Sequence, residues 1–326
     1  WHWPLLVLAA LHKTRHLTYI QSGLVILVAV GLAALSLKYV ETPLRRPGLF
    51  GGRRLARLSA GALAILCAIG VARALEGVGG QLWPVSARGA AALAALDDKS
   101  AFQRDCNNDQ EGWTTLRPMA GCALGPGAAK GTYDVLVWGD SHAGAVFVGL
   151  AEEVAALGHT ARLLTMPGCP PLIGGLAHIH RAEGATCAAF NVAVLEEIRR
   201  ARPLLVVVVG RWTIWTVRAG GTFTLTSDEL PEGGAHSLET SKRVFDHMVK
   251  RTFQALDKLA PHVIVLGQVP EFVYPPTRCV AQSEYFGKDG SGCLQQTHAE
   301  ALRLLGYAIA LAPAGHAPAP VYSSHA

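Results

Sequence analysis

The sequence predicts an α/β domain built on a doubly wound parallel sheet and preceded by transmembrane helices. Three observations carry that expectation. Two apolar stretches within residues 1–75 approach the length of a bilayer crossing. Beyond them, short apolar runs at 133–138, 160–166, 204–209 and 262–266 alternate with stretches of helical period at 143–157, 187–200, 238–259 and 295–311. The runs also do not alternate polar with apolar; 204–209 reads LLVVVV, the pattern of a strand covered on both faces. Strands alternating with helices argue for parallel pairing, and right-handed crossovers bring the loops after the strands to one edge.

The membrane portion comes first. Residues 18–37 are about the 20 that a spanning helix needs, interrupted only by Gln21 and small residues. Residues 55–75 form a second expected span, with Arg57 and Arg73 placed to snorkel; the alternative is a soluble core helix. Residues 4–11 are apolar but short, and the chain opens Trp1-His2-Trp3 without Met, so it reads as a piece of something longer. Half of the 326 residues are hydrophobic and 16% are charged, which suits a membrane protein.

The net charge of +5 is unevenly distributed: residues 1–75 hold nine Lys and Arg against the single acid Glu41, leaving 20 basic and 23 acidic residues in the remainder. The basic excess lies beside the membrane segments, so a nucleic-acid partner gets no support. Arg45, Arg46, Arg53 and Arg54 crowd the loop between the spans, which the positive-inside rule puts in the cytoplasm. Everything after Leu75 is then expected outside it.

The chemistry gathers at Gly139-Asp140-Ser141-His142, where the first strand of the outer domain turns into a helix. A serine there sits at the carboxyl edge of the sheet, where α/β folds place ligands, and faces the positive end of the helix. The alternative is that Asp140 or Ser141 merely caps the helix. Ala143 stands where the G-x-S-x-G elbow of α/β-hydrolases has its second glycine, so that motif is absent. Gly-Asp-Ser resembles the first block of the SGNH (GDSL-like) hydrolases, and Ser followed by His resembles the SGNH domains fused to acyltransferase-3 membrane proteins. Tyr39, Glu41, Pro43 and Arg45 resemble the closing Tyr-x-x-Glu-x-Pro-x-Arg of the acyltransferase-3 membrane domain, one residue tighter between Tyr and Glu.

That resemblance implies an SGNH-hydrolase-like, flavodoxin-like fold and three regions. Residues 1–75 would be the end of an acyltransferase-3-like membrane domain plus an extra transmembrane helix, 76–130 a linker region, and 131–326 the SGNH-like domain, incomplete at its C-terminus. It implies a multi-pass protein of the bacterial inner membrane with its SGNH-like domain periplasmic. The function implied is transfer of acyl groups, acetyl foremost, to cell-envelope polysaccharide such as lipopolysaccharide. The acyl donor would arrive through the membrane domain, and no cofactor or metal is implied. Ser141 would be the nucleophile and Gly168, after the second strand, an oxyanion donor with the Ser141 N–H; a rigid turn pinned by Cys169 is the other reading of that loop. Asp140 and His142 would position the serine.

Two family features are missing. The third block, Gly-x-Asn-Asp, is replaced by Gly210-Arg211-Trp212, which removes the side-chain oxyanion donor. Arg211 is left to stabilise an oxyanion, to hold an anionic sugar, or to form a structural salt bridge. No Asp-x-x-His follows Pro270, and His298, His316 and His325 lack an Asp three residues earlier. The catalytic Asp and His are therefore expected beyond the C-terminus. A tethered esterase that gives the acyl group to water, and a non-catalytic glycan-binding module, are the competing readings.

Six of the seven cysteines fall in the outer region as close couples: Cys106 with Cys122, Cys169 with Cys187, Cys279 with Cys293. Six cysteines permit 15 pairings, of which these sequential ones are simplest. An oxidising compartment agrees with the charge argument. No Cys-x-x-Cys spacing points to a metal. Cys67 lies within the second expected span.

Overall fold

The computed structural model describes residues 2–13, 17–45, 54–82, 85–98, 101–108, 113–179, 184–216, 223–268, 271–272 and 275–297. They fall into two units, Trp1–Asp98 with Phe272–Gln296, and Lys99–Glu271.

The first unit begins with α1 (His2–Lys13) and α2 (Tyr19–Ser36). Gln21, the polar interruption of the apolar run, belongs to a capping box: its N–H meets Thr18 Oγ1 at 3.4 Å and its Oε1 accepts the Thr18 N–H at 3.0 Å. A π turn, Leu37–Glu41, continues the helix into α3 (Thr42–Arg45). A proline inside a helix ordinarily ends it, yet the chain stays helical through Pro43. Proline has no N–H and its ring crowds the carbonyl four residues back. The wider π turn accommodates this: the Thr42 N–H reaches the Leu37 carbonyl, and Thr42 Oγ1 donates to the same oxygen at 2.7 Å.

Among the described residues one helix, Tyr19–Glu41, is long and apolar enough to cross a membrane, with 23 residues and a mean hydropathy of 2.2 over an 18-residue stretch. Next comes α4 (Arg54–Leu82), whose apolar stretch Gly61–Leu75 is shorter and exposed. Then α5 (Ala87–Asp97) begins at an N-cap, Ser86, whose Oγ accepts the Gly89 N–H at 3.0 Å.

The second unit opens with α6 (Ala101–Asp105) and continues through β1 (Ala123–Leu124), β2 (Val135–Gly139), α7 (Ser141–Ala156), β3 (Ala161–Thr165), β4 (Leu176–Ile179) and α8 (Ala185–Ala201). It goes on with β5 (Leu205–Val209), α9 (Thr213–Thr216), β6 (Phe223–Thr226), α10 (Leu238–Leu256) and β7 (His262–Leu266). The sheet order is β1-β3-β2-β5-β7, with β3, β2, β5 and β7 parallel and β1 antiparallel at the edge. β2 and β3 are buried along their whole length, as their apolar runs require.

Side chains on opposite faces of the strands feed separate cores. Val135 and Val137 pack with Phe147 of α7, while Leu136 and Trp138 pack with Phe190 of α8 and Phe245 of α10. Helices therefore cover both faces, as in a doubly wound sheet. The chain steps from β2 to β3 on one side and from β3 to β5 on the other, so the switch point lies between β2 and β5. β4 and β6 form a separate antiparallel ribbon.

Three elements lie within or beside the stretch 76–130 that was expected as linker: α5, α6 and β1, the last two tied by the Cys106–Cys122 disulfide. Cys169–Cys187 joins the loop after β3 to α8. The chain then returns to the first unit as α11 (Pro276–Tyr285), where Cys279–Cys293 closes a third loop. Helix α11 packs on α5 through Glu284, which accepts from Ser86 Oγ at 2.8 Å and pairs with Arg88 at 3.6 Å. A side-chain carbon at Gly89 would lie 3.3 Å from Glu284 Cβ, so the glycine admits the close crossing. The expected helix at 295–311, and His298, His316 and His325, lie outside the described residues apart from 295–297, which are not helical.

Candidate active site

At the switch point β2 ends in Gly139, and the turn that follows is tight because β5 presses against it. A Cβ on Gly139 would stand 1.9 Å from the Val209 carbonyl oxygen, so only glycine fits. Asp140 is the N-cap of α7 and Ser141 its first residue, two positions earlier than the helix start expected at Ala143. Asp140 Oδ1 accepts the His142 N–H at 2.8 Å. Asp140 is thus the cap, and Ser141, half-buried at the first turn, takes no part in capping. As the first helical residue, Ser141 has an N–H with no carbonyl to meet inside the helix.

The loop after β3 carries Gly168 to the same edge of the sheet. The Cys169 N–H bonds the Met166 carbonyl at 3.1 Å across Pro167-Gly168, and Gly168 has φ +68°. This is a type II turn, with Pro and Gly in the positions that such a turn favours. It is held from three sides. The Met166 N–H reaches the Gly139 carbonyl at 3.1 Å, Asn191 Nδ2 of α8 donates to the Pro170 and Leu172 carbonyls at 2.8 Å each, and Cys187 is bonded to Cys169. Thr165 Oγ1 donates to the Asp140 carbonyl at 2.6 Å, which ties the end of β3 to the Gly-Asp-Ser turn. Asn108 bonds the Thr165 carbonyl with both its backbone N–H and its Nδ2.

The loop after β5 supplies the third wall. The Arg211 N–H donates to Asp140 Oδ2 at 2.7 Å. Its guanidinium turns to Glu271, with Nε and Nη2 at 2.5 and 2.7 Å from the two carboxylate oxygens. Gln268 Nε2 braces Glu271 at 2.7 Å and Thr213 Oγ1 at 2.9 Å. Of the three roles open to Arg211, the structure displays the salt bridge. Glu271 holds the Arg211 guanidinium above its ordinary pKa through these hydrogen bonds. Burial pushes Asp140 above the usual carboxylate range, against the hydrogen bonds from the Arg211 and His142 backbones.

Ser141, Asp140, His142, Gly168 and Arg211 therefore meet at one edge of the sheet. Sequence reading passed over Thr165, Gln268 and Glu271. The one signal for Glu271 is its place shortly after the last strand, on the edge that β2, β3 and β5 share.

Residues 105–321 match the family model described as an SGNH domain fused to AT3 domains. The chain belongs to that family of SGNH domains. No curated protein sequence matches it. Among solved structures it resembles the periplasmic domain of the lipopolysaccharide acetyltransferase of Salmonella ser. Paratyphi A, at 18% identity and a TM-score of 0.33, over 58% of this chain. The match covers 60% of that chain. For this SGNH domain, the family match begins at residue 105, the last of α6, so Cys106 falls inside it.

Proposed function

We propose that the protein is a membrane O-acyltransferase whose SGNH domain accepts an acyl group on Ser141 Oγ and passes it, as an ester, to a hydroxyl of cell-envelope polysaccharide. The observation that carries this reading is Ser141 at the first position of α7, beside the Gly168 turn at the switch point. The N–H groups of Ser141 and Gly168 are the oxyanion donors in this reading, Asp140 and His142 fix the turn, and Arg211 stands at the acceptor side. In each half-reaction a carbonyl carbon gains one oxygen ligand and loses another, and the developing negative charge falls where those N–H groups point.

The domain is read as extracytoplasmic. Three disulfides agree with an oxidising compartment. A contact within the first unit supports a second crossing: the His12 ring lies edge-on to Phe286 with centroids 5.0 Å apart. If α2 carries the chain across a bilayer, it must cross back before reaching Phe286. Helix α4, with 29 residues and its apolar stretch, is the element suited to that return.

The deciding experiment compares the full gene product with its Ser141→Ala variant in cells. Polysaccharide acylation should disappear in the variant, and mass spectrometry of the wild type should find the acyl adduct on the peptide containing Ser141. Undiminished acylation by Ser141→Ala would overturn the assignment. Acyl release to water without transfer would make the protein an esterase.

A further inference from the structure

The first unit holds an apolar groove that the reaction does not use. It has a volume of about 410 Å³ and lies where the end of α1 meets the α5–α11 pair, lined by Leu11, Val85, Leu93, Tyr285 and Phe286, with Arg278 on its wall. The groove is rigidly framed. The Cys279–Cys293 bond secures α11, Glu284 joins it to the start of α5, and Lys288 Nζ donates to the His12 carbonyl.

Three features of the groove point to one kind of occupant. Its lining is continuous with apolar side chains of α1 that stand open, among them Leu8 and Leu11. Arg278 is exposed and its guanidinium meets no anionic partner among the described residues. Tyr285 is half exposed at the edge, a residue type that gathers at membrane–water boundaries because one end is apolar and the other wet. An apolar slot beside a membrane helix with an uncompensated cation on its wall complements an amphiphile with an alkyl chain and an anionic head.

We propose that this groove seats an acyl chain of an anionic phospholipid of the outer leaflet, with its phosphate on Arg278. The proposal rests on the topology above, which puts the C-terminal end of α1 and the α5–α11 pair on the extracytoplasmic side. A guanidinium offers the fork of N–H donors that phosphate oxygens accept. The seat would hold α5 and α11 at the bilayer surface without any part in acyl transfer.

The test places the full chain in proteoliposomes containing phosphatidylglycerol with a photoactivatable group midway along one acyl chain. Cross-linked peptides are then mapped by mass spectrometry. Adducts are expected on α2 and, in addition, on peptides carrying Leu93 and Tyr285. Replacing the labelled lipid by labelled phosphatidylcholine, or introducing Arg278→Gln, should lower labelling of the Leu93 and Tyr285 peptides by about fivefold, the effect of one arginine at an anionic surface. Arg278 is exposed, so this variant should keep the fold, and labelling of α2 should be unchanged in it.

Adducts on α2 with none on α5 or α11 would overturn the seat and leave the membrane reading standing. Equal labelling by the two lipids, or cross-links from this groove to another protein segment, would overturn it as well. No adducts on α2 would sink the topology on which the seat rests.

Discussion

The backbone N–H of Arg211 donates to Asp140 Oδ2 at 2.7 Å, fastening the loop after β5 to the turn after β2. Set against Gly-x-Asn-Asp, Arg211 holds the second position, and Trp212 stands at the third, its Nε1 donating to the Leu266 carbonyl at 3.1 Å. Both Asp140 oxygens are used on backbone N–H groups, one from each side of the switch point. The carboxylate acts as a two-sided clamp on the loop that presents Ser141.

That clamp makes Asp140→Asn a sharper probe than its small volume change suggests. One oxygen becomes an NH₂ group, which must then face either the His142 N–H or the Arg211 N–H, donor against donor. Stability should fall by about 1–3 kcal/mol, the cost of a buried donor left unpaired. Acyl transfer should fall at least tenfold, because the turn that holds the serine shifts. Chemical unfolding and a transfer assay on the same preparation check both.

Gly168→Ala should hurt transfer more than folding. The positive φ at this position costs a side chain about 1–2 kcal/mol. A change of the turn to relieve that strain would swing the Gly168 N–H away from the oxyanion position that the proposed reaction assigns to it. Removing the neighbouring tie with Cys169→Ser and Cys187→Ser should cost about 3 kcal/mol for a loop of this length. Initial rates and thermal unfolding of each variant separate the two effects.

β2, β3 and β5 were legible in sequence because they are almost wholly buried and hence largely apolar; the edge strand β7 is half exposed and was legible through its Val-Ile-Val-Leu run alone. LLVVVV at 204–209 admits little else, and β7 coincides with the expected run at 262–266. The β4–β6 ribbon was not legible: LAHI has no period, and FTLT alternates apolar with polar over only four residues, too few to mark a strand. β1 spans two residues and helix α11 opens on a proline pair, so neither carries a pattern. Ser141 was visible through its motif, and Gly168 through the Pro-Gly turn. Glu271 was not, since its meaning comes from an arginine 60 residues earlier that only the fold brings near.

A buried ionic cluster on the far side of the domain gives a pH prediction. Glu197 on α8 accepts from Tyr133 Oη at 2.8 Å and Arg200 Nε at 2.9 Å, and pairs with buried Arg162. Burial alone would raise its pKa, but the Arg200 and Tyr133 hydrogen bonds and the Arg162 charge outweigh it and hold the carboxyl below its ordinary 4.5. The folded value lies below the unfolded one, so this stabilisation is complete above pH 4.5 and is lost as pH falls through the folded value. Glu197→Gln should remove that acid sensitivity and cost about 3–5 kcal/mol at neutral pH, because Arg162 stays buried without its counter-charge. Urea unfolding of the two proteins from neutral to acid pH reads both.

Arg211 and Glu271 should behave as a unit. Their side chains are 33% and 16% exposed, so solvent weakens the pair without abolishing it. A double-mutant cycle with Arg211→Ala and Glu271→Ala should give a coupling of about 1 kcal/mol in unfolding measurements. The same cycle run on transfer rates should also show non-additivity. Additive losses in both would mean that the bridge is incidental.

The first unit is assembled from both ends of the described chain: α5 ends at Asp97, and the helix it packs against begins at Pro276. During synthesis α5 therefore waits for its partner while the whole five-stranded sheet is made. At about 5–20 residues per second that interval is on the order of ten to thirty seconds. Completion of the α5–α11 pair becomes a late checkpoint in biogenesis, reached only by chains whose second unit has already been made and had time to fold.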